Sequence, residues 1–195
     1  MMVKICGITN REDALAAVEA GASAIGFNFY HDSPRYISPT GAAMIAEKIP
    51  GNVWKVGVFV DERPSSIAKI AIEVGLDVAQ LHGIAEARGI RVWRAGSVDG
   101  ALMISAFDQS AAEAILLDTY SVTEYGGTGK TFDWSRAKGL PAKVIIAGGL
   151  DASNVREAIA QAEPWGVDAC SRLEKSPGVK DHDKVREFVK AARGE

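Results

Sequence analysis

The chain has 195 residues, 47% of them hydrophobic, and a formal net charge of -3, the profile of a soluble globular protein with enough length for one sizeable core. No basic run points to nucleic acid or a membrane surface, no apolar stretch reaches the roughly 18 residues needed to span a bilayer, and Met1-Met2-Val3-Lys4-Ile5-Cys6 enters a strand at once, leaving no room for a signal peptide. Two cysteines, Cys6 and Cys170, are too few for a disulfide framework or a zinc cage, and they fit a reducing cytoplasm.

Short β-rich runs alternate with longer helical runs, and no linker or low-complexity segment divides them. Strands are expected at Val3–Cys6, Ala24–Phe29, Trp54–Val60, Asp77–Leu81, Val92–Ala95, Ala114–Leu117, Lys143–Ala147 and Gly166–Cys170. Several are continuous apolar runs, as in sheets covered on both faces. Helices are expected at Arg11–Ala20, ended by Gly21; at Thr40–Lys48, stopped by Pro50; at Ser65–Val74, ended by Gly75; at Ala152–Ala162; and at Asp181–Ala192. Thr9 or Asn10 can cap the first. The short connection from His82 to Val92 leaves a helix of one turn or none, and Gly100–Ser110 has only a weak helical pattern. The expected fold is a single (β/α)8 barrel domain over residues 1–195, with shortened helices after strands 4 and 5. An open doubly wound sheet is the alternative, but Cys6-Gly7-Ile8-Thr9 lacks its glycine-rich dinucleotide turn.

In such a barrel the C-terminal strand ends share one mouth. Cys6 ends the first strand, close to a helix N-terminus that favours its thiolate. Asp118 follows Ala114-Ile115-Leu116-Leu117. A carboxyl at an apolar rim suits a general acid, although a strand-end Asp also caps loops. A thiolate and a carboxylic acid across one mouth can take a proton from carbon and give one to oxygen, the pattern of an aldose–ketose isomerisation. Gly148-Gly149 after the seventh strand and Ser171-Arg172 after the eighth supply backbone N–H groups for a phosphate. Arg35, stiffened by Pro34, can clamp a carboxylate, or be a solvated loop arginine. His82 in Gln80-Leu81-His82-Gly83 is a further candidate, but equally a strand-end residue bonded inside the rim; Asp168 also reaches the mouth. Gly126-Gly127-Thr128-Gly129-Lys130 is a glycine-rich loop without Walker A spacing, suited to a lid. No His/Cys/Asp cluster has metal-ligand spacing.

Together these segments resemble the phosphoribosylanthranilate isomerase family of tryptophan biosynthesis. The match runs through Lys4-Ile5-Cys6-Gly7-Ile8-Thr9, Gly26-Phe27-Asn28-Phe29 with Ser33-Pro34-Arg35-Tyr36-Ile37, Gly57-Val58-Phe59-Val60, Gln80-Leu81-His82-Gly83 and Leu116-Leu117-Asp118. It continues through Gly126-Gly127-Thr128-Gly129 with Phe132-Asp133-Trp134, Ala147-Gly148-Gly149-Leu150 and Ser176-Pro177-Gly178-Val179-Lys180-Asp181, in family order along the whole chain. The resemblance implies an Amadori rearrangement of N-(5-phosphoribosyl)anthranilate to the 1-deoxyribulose 5-phosphate. It implies Cys6 as general base at the sugar C2, Asp118 as general acid on the ring oxygen, Arg35 on the anthranilate carboxylate, and phosphate near Gly149 and Ser171. No cofactor or metal is implied. The implied partner is a small phosphosugar, with no nucleic acid or membrane, and the protein acts as a monomer or homodimer.

Two departures stand out. The family usually carries Asp-Val-Ser-Ser-Gly-Val-Glu after the eighth strand, where this chain has Asp168-Ala169-Cys170-Ser171-Arg172-Leu173-Glu174. Arg172 is strained there if the position needs a positive φ; otherwise it adds charge beside the phosphate or pairs with a surface acid such as Glu174. The second is the short segment after Gly83, which exposes barrel wall or leaves it for a partner or another loop to cover. The alternatives to this function are another phosphosugar isomerase or epimerase barrel and a non-catalytic phosphate-binding barrel.

Overall fold

The computed structural model describes residues 1–98, 112–119 and 132–195. Eight strands close a parallel barrel in sequence order: β1 (Met2–Ile5), β2 (Ala24–Asn28), β3 (Trp54–Val60), β4 (Val78–His82), β5 (Arg91–Val98), β6 (Ala114–Thr119), β7 (Val144–Ile146) and β8 (Gly166–Ala169). Closure is made by β8 on β1, with Met2 opposite Gly166 and Ile5 opposite Ala169. The helices are α1 (Arg11–Glu19), α2 (Pro39–Ala46), α3 (Pro64–Val74), α4 (Val155–Ala162) and α5 (His182–Arg193). The barrel reading of the sequence is thus the observed architecture, and the open sheet is not.

Each strand sorts its side chains with period two, because successive residues point to opposite faces. One set, including Val3, Ile5, Ile25, Phe27, Phe59, Leu81, Ile115, Leu117, Ile146 and Val167, packs in the layer shared with helix residues such as Ala14, Ile67, Val155 and Phe188. The other set fills the barrel: Ala24, Val56, Val78, Trp93, Ala114, Leu116 and Ile145 form one buried cluster. Trp54, Trp93 and Trp165 close its N-terminal end, with ring centroids 5.9–6.2 Å apart. Indole thus fills the lower barrel, and Cys6, Gln80, His82, Asp118 and Asp168 lie toward the C-terminal end.

Element ends follow local chemistry. Asn10 caps α1 by accepting from the Asp13 N–H at 2.8 Å, and α3 stops at Gly75 in the left-handed region. The fourth helix starts at Val155, later than expected, because Asp151 and Asn154 spend their side chains on the preceding turn: Ser153 N–H donates to Asp151 and Asp151 N–H to Asn154. The second helix stops at Ala46, where Lys48 and Ile49 N–H groups tighten onto the carbonyls three residues back ahead of Pro50.

No helix follows β4: the chain there is turn and coil. Ala85 from this segment is buried, and Arg94 Nη1 donates to its carbonyl at 2.6 Å, so the segment lies against the wall that a helix would cover. Asp61, a strand-end residue with φ 48°, holds the same turn by accepting from the Ile84 N–H. The sequence patterns did not indicate the hairpin of β9 (Glu174–Ser176) and β10 (Val179–Lys180), which inserts between β8 and α5. The weak helix at 100–110 and the glycine-rich loop at 126–130 lie outside the described residues.

Candidate active site

Inward strand positions place the chemistry. Cys6, Asn28, Gln80, His82, Leu116, Asp118, Asp168 and Cys170 line one cavity of about 60 Å³ at the mouth, joined by Arg35 and Ser33 from the loop after β2. The two residues expected to move protons, Cys6 and Asp118, therefore face one space. Gly26 makes room for the thiol: a Cβ there would stand 2.9 Å from Cys6 Sγ and 3.1 Å from Lys4 Cε.

Lys4 is fully buried, and its Nζ meets Asp168 Oδ1 at 2.9 Å. Burial works against its charge, but Asp168 and Cys6 outweigh it, so the ammonium is held more firmly than usual. The Cys6 thiol is pushed well below its ordinary range. A hydrogen bond from Cys170 contributes most, burial opposes, and the ammoniums of Lys4 and Lys180 assist. The charges that favour the thiolate are thus side chains; α1 begins only at Arg11. Asp168 moves the other way, up to about 7, because burial together with the negative charges of Cys6 and Asp118 exceeds what one lysine offsets.

Arg35 is fixed by a two-pronged pair with Glu174: Nε lies 2.9 and 3.2 Å from its oxygens and Nη2 2.8 Å. Nη1 is outside this pair. Glu174 also accepts from Lys180 Nζ at 2.9 Å. Burial raises the Glu174 carboxyl, yet these two cations bring it below its ordinary value. Asn28 organises the loop that delivers Arg35, donating to Ser33 Oγ at 3.1 Å and accepting from the Tyr30 N–H, while Ser33 Oγ accepts from the Arg35 N–H.

A second, smaller lobe of about 30 Å³ is lined by Gly148, Gly149, Ser171 and Arg172 and shares Asp118, Asp168 and Cys170 with the first. Both glycines have positive φ, 85° and 63°, which a side chain would strain. Asn154 Nδ2 pins this turn through the Gly149 carbonyl at 2.8 Å. Arg172 sits in a single 3₁₀ turn, Ser171–Leu173, and has no positive φ, so the backbone there accepts an arginine. Its ion pair is with Asp151, Nη1 to Oδ2 3.1 Å, at the half-exposed rim. Of the two readings of Arg172, a pair with a surface acid is thus present, but the acid is Asp151 and not Glu174, which is turned inward to Arg35 and Lys180. A larger groove outside the rim, about 530 Å³, touches Arg172, Lys184 and Glu187 but none of the acid or base groups.

His82 ends β4, its Nε2 3.1 Å from Gln80 Nε2. Burial pushes its pKa down to about 4, so the ring is neutral. Sequence reasoning did not single out Lys4, Glu174 or Lys180. Lys4 was legible as a cation in an otherwise apolar strand, on the same face as Cys6. Glu174 and Lys180 belong to the hairpin, which no periodicity marked.

A family model described as N-(5'phosphoribosyl)anthranilate (PRA) isomerase matches residues 3–191. The N-(5'-phosphoribosyl)anthranilate isomerase of Solibacter usitatus is 50% identical over 198 aligned positions, covering 99% of this chain and 98% of its own. Among solved structures, phosphoribosyl anthranilate isomerase from Thermotoga maritima superposes with a TM-score of 0.92 at 45% identity, covering all of both chains. A phosphoribosyl anthranilate isomerase in complex with reduced 1-(o-carboxyphenylamino)-1-deoxyribulose 5-phosphate does so with a TM-score of 0.88 at 42% identity, again over all of both chains.

Proposed function

The chain belongs to the phosphoribosylanthranilate isomerase family and is an isomerase of tryptophan biosynthesis, and we propose the following division of labour at its mouth. Asp118 protonates the furanose ring oxygen of N-(5-phosphoribosyl)anthranilate, the C1–O bond breaks, and the anthranilate nitrogen takes up the positive charge as an iminium at C1. The Cys6 thiolate removes the C2 proton, and the electron pair flows into the iminium to give an enolamine. Ketonisation then adds a proton at C1 and releases one from the C2 hydroxyl. The proton on Cys6 returns to Asp118, and the product is 1-(2-carboxyphenylamino)-1-deoxyribulose 5-phosphate.

The observation that carries this reading is the shared cavity: Cys6 and Asp118 line it together, and Asp118 also borders the glycine-lined lobe. A base that must be anionic is surrounded by Lys4, Lys180 and the Cys170 thiol. Arg35 holds the anthranilate carboxylate with the donors outside its Glu174 pair, and Glu174 fixes the plane of the guanidinium. The backbone N–H groups at Gly148-Gly149 and Ser171-Arg172 hold the phosphate. Lys4 acts through the thiol, helping to keep its charge in a buried setting, and Asp168 pairs with Lys4. His82, neutral and bonded to Gln80, shapes the wall. The test is loss of phosphoribosylanthranilate fluorescence with the purified protein; no turnover by the wild-type protein, or unaltered turnover by Cys6→Ala, overturns these assignments.

A further inference from the structure

Cys6 and Cys170 are the two cysteines of the chain, and both are free. The β1–β8 ladder pairs Ile5 with Ala169, and the Cys6 N–H continues it by donating to the Ala169 carbonyl at 2.9 Å. The cysteines therefore occupy the next rung, and both line the mouth cavity. Neighbouring strands lie about 4.7–4.9 Å apart, inside the roughly 4.4–6.8 Å of Cα separation that a disulfide bridges. Each thiol is the largest single influence on the other's ionisation, Cys6 being pushed down and Cys170 up. The intervening Gly7 permits this, since a Cβ there would stand 2.8 Å from Cys170 Sγ. Lys180 Nζ lies 3.7 Å from Cys170 Sγ, and the Cys170 thiol faces Glu174 Oε1 at 3.9 Å.

We propose that Cys6 and Cys170 form an oxidative modification site, at which a peroxide converts the two thiols into a reversible disulfide that removes the catalytic base. In the first step the Cys6 thiolate attacks one peroxide oxygen, the O–O bond breaks, and Cys6 becomes a sulfenic acid. In the second, Cys170 gives up its proton and attacks the Cys6 sulfur, the S–S bond forms and the S–O bond breaks. One thiolate, one thiol, hydrogen peroxide and one solvent proton yield a disulfide and two waters; the sulfurs lose two electrons and the peroxide gains them. Cys6 is suited to the first step because the thiolate is the nucleophile. Cys170 is held as a thiol by its bond to the Cys6 thiolate and by burial. The first restraint ends once Cys6 is a neutral sulfenic acid, and Lys180 then favours the Cys170 thiolate.

The inference rests on Cys6 being the base, so bond formation and turnover are read separately. Purified protein is treated with hydrogen peroxide and followed by intact mass, peptide mapping and isomerase turnover, before and after dithiothreitol. Wild type is expected to lose the mass of two hydrogens, to yield the Cys6 and Cys170 peptides linked, and to fall in turnover by about 10²-fold or more, the contribution of a general base. Dithiothreitol restores mass and turnover. Cys170→Ser, scored against its own untreated sample, instead gains oxygen at Cys6 and passes to the sulfinic acid, which dithiothreitol does not reverse. Oxygen gained at Cys6 in wild type with no linked peptides overturns the disulfide and leaves the base assignment standing. Linked peptides with turnover unchanged overturn both.

Discussion

Replacing Arg35 with methionine separates what the guanidinium does for substrate from what it does for the fold. It removes the side chain proposed to grip the anthranilate carboxylate and also one of two cations on Glu174. The carboxylate lies far from the bonds that change, so the loss is expected in KM and not in kcat. A charge-assisted hydrogen bond contributes about 1.5–3 kcal/mol, which is about a 10–150-fold rise in KM. The fold is hurt less than by an orphaned buried charge, which costs about 3–5 kcal/mol. Glu174 keeps Lys180 at 2.9 Å and the Gly178 N–H at 3.3 Å. A loss of about 1.5–3 kcal/mol is therefore expected, or a fall in Tm of about 3–12 °C for a chain this long. Arg35→Lys keeps the charge without the fork and falls between wild type and methionine in both measurements. Steady-state kinetics following substrate fluorescence, with thermal denaturation of the same samples, decide the matter. A lower Tm with an unchanged KM would refute the reasoning: Arg35 would then brace Glu174 only, and the carboxylate would be held elsewhere.

Cys6→Ala and Asp118→Asn are each expected to lower turnover by about 10²–10⁴-fold with the circular dichroism of wild type; near-normal turnover removes the residue from proton transfer. His82 has a folded-state pKa of about 4 against an ordinary 6.5, so below neutrality the unfolded chain binds the extra proton. The cost of protonating the buried ring is absent above pH ~6.5 and grows as pH falls toward ~4, so that stability drops by roughly 3 kcal/mol across this window. Denaturant titrations of His82→Gln across this window are expected to lack that slope, and an identical slope in the variant would contradict it. Arg172→Gly is expected to change affinity for a product analogue by no more than about threefold, with the difference gone at high salt, because Asp151 already offsets the charge and exposed pairs contribute little. A loss above about tenfold that survives high salt would mean direct contact with the phosphate.

The barrel and its mouth were legible because period-two patterns and strand order are written in single residues. Cys6, Asp118, Asp168 and the glycine pair were placed by being strand ends, which needs no knowledge of contacts. Boundaries shifted where side chains compete with the helix ladder, as at Asp151 and Asn154. The hairpin at 174–180 was not legible, since strands of three and two residues carry no measurable period. With it went the inward turn of Glu174, whose charge on a bare sequence looks solvated.

The buried charges explain why the mouth departs from the apolar rule of the rest of the barrel. Lys4 occupies the same inward file as Cys6 on β1, and Asp168 the same file as Cys170 on β8. An apolar residue at either place would pack as well and avoid desolvation, and replacing a buried ion pair by such residues is often neutral or stabilising. Fold stability therefore gives no reason for the pair. A thiolate does: an anion buried beside Gly26 needs a cation within reach, and a lysine alone would leave charge uncompensated whenever the thiol is protonated. Burial and the negative charges of Cys6 and Asp118 push the Asp168 pKa up to about 7, so this carboxyl can take up a proton and relieve the crowding of negative charge beside the thiolate. Departures from local rules are expected where function is held, and here Lys4 helps to keep Cys6 anionic while Asp168 balances the buried lysine.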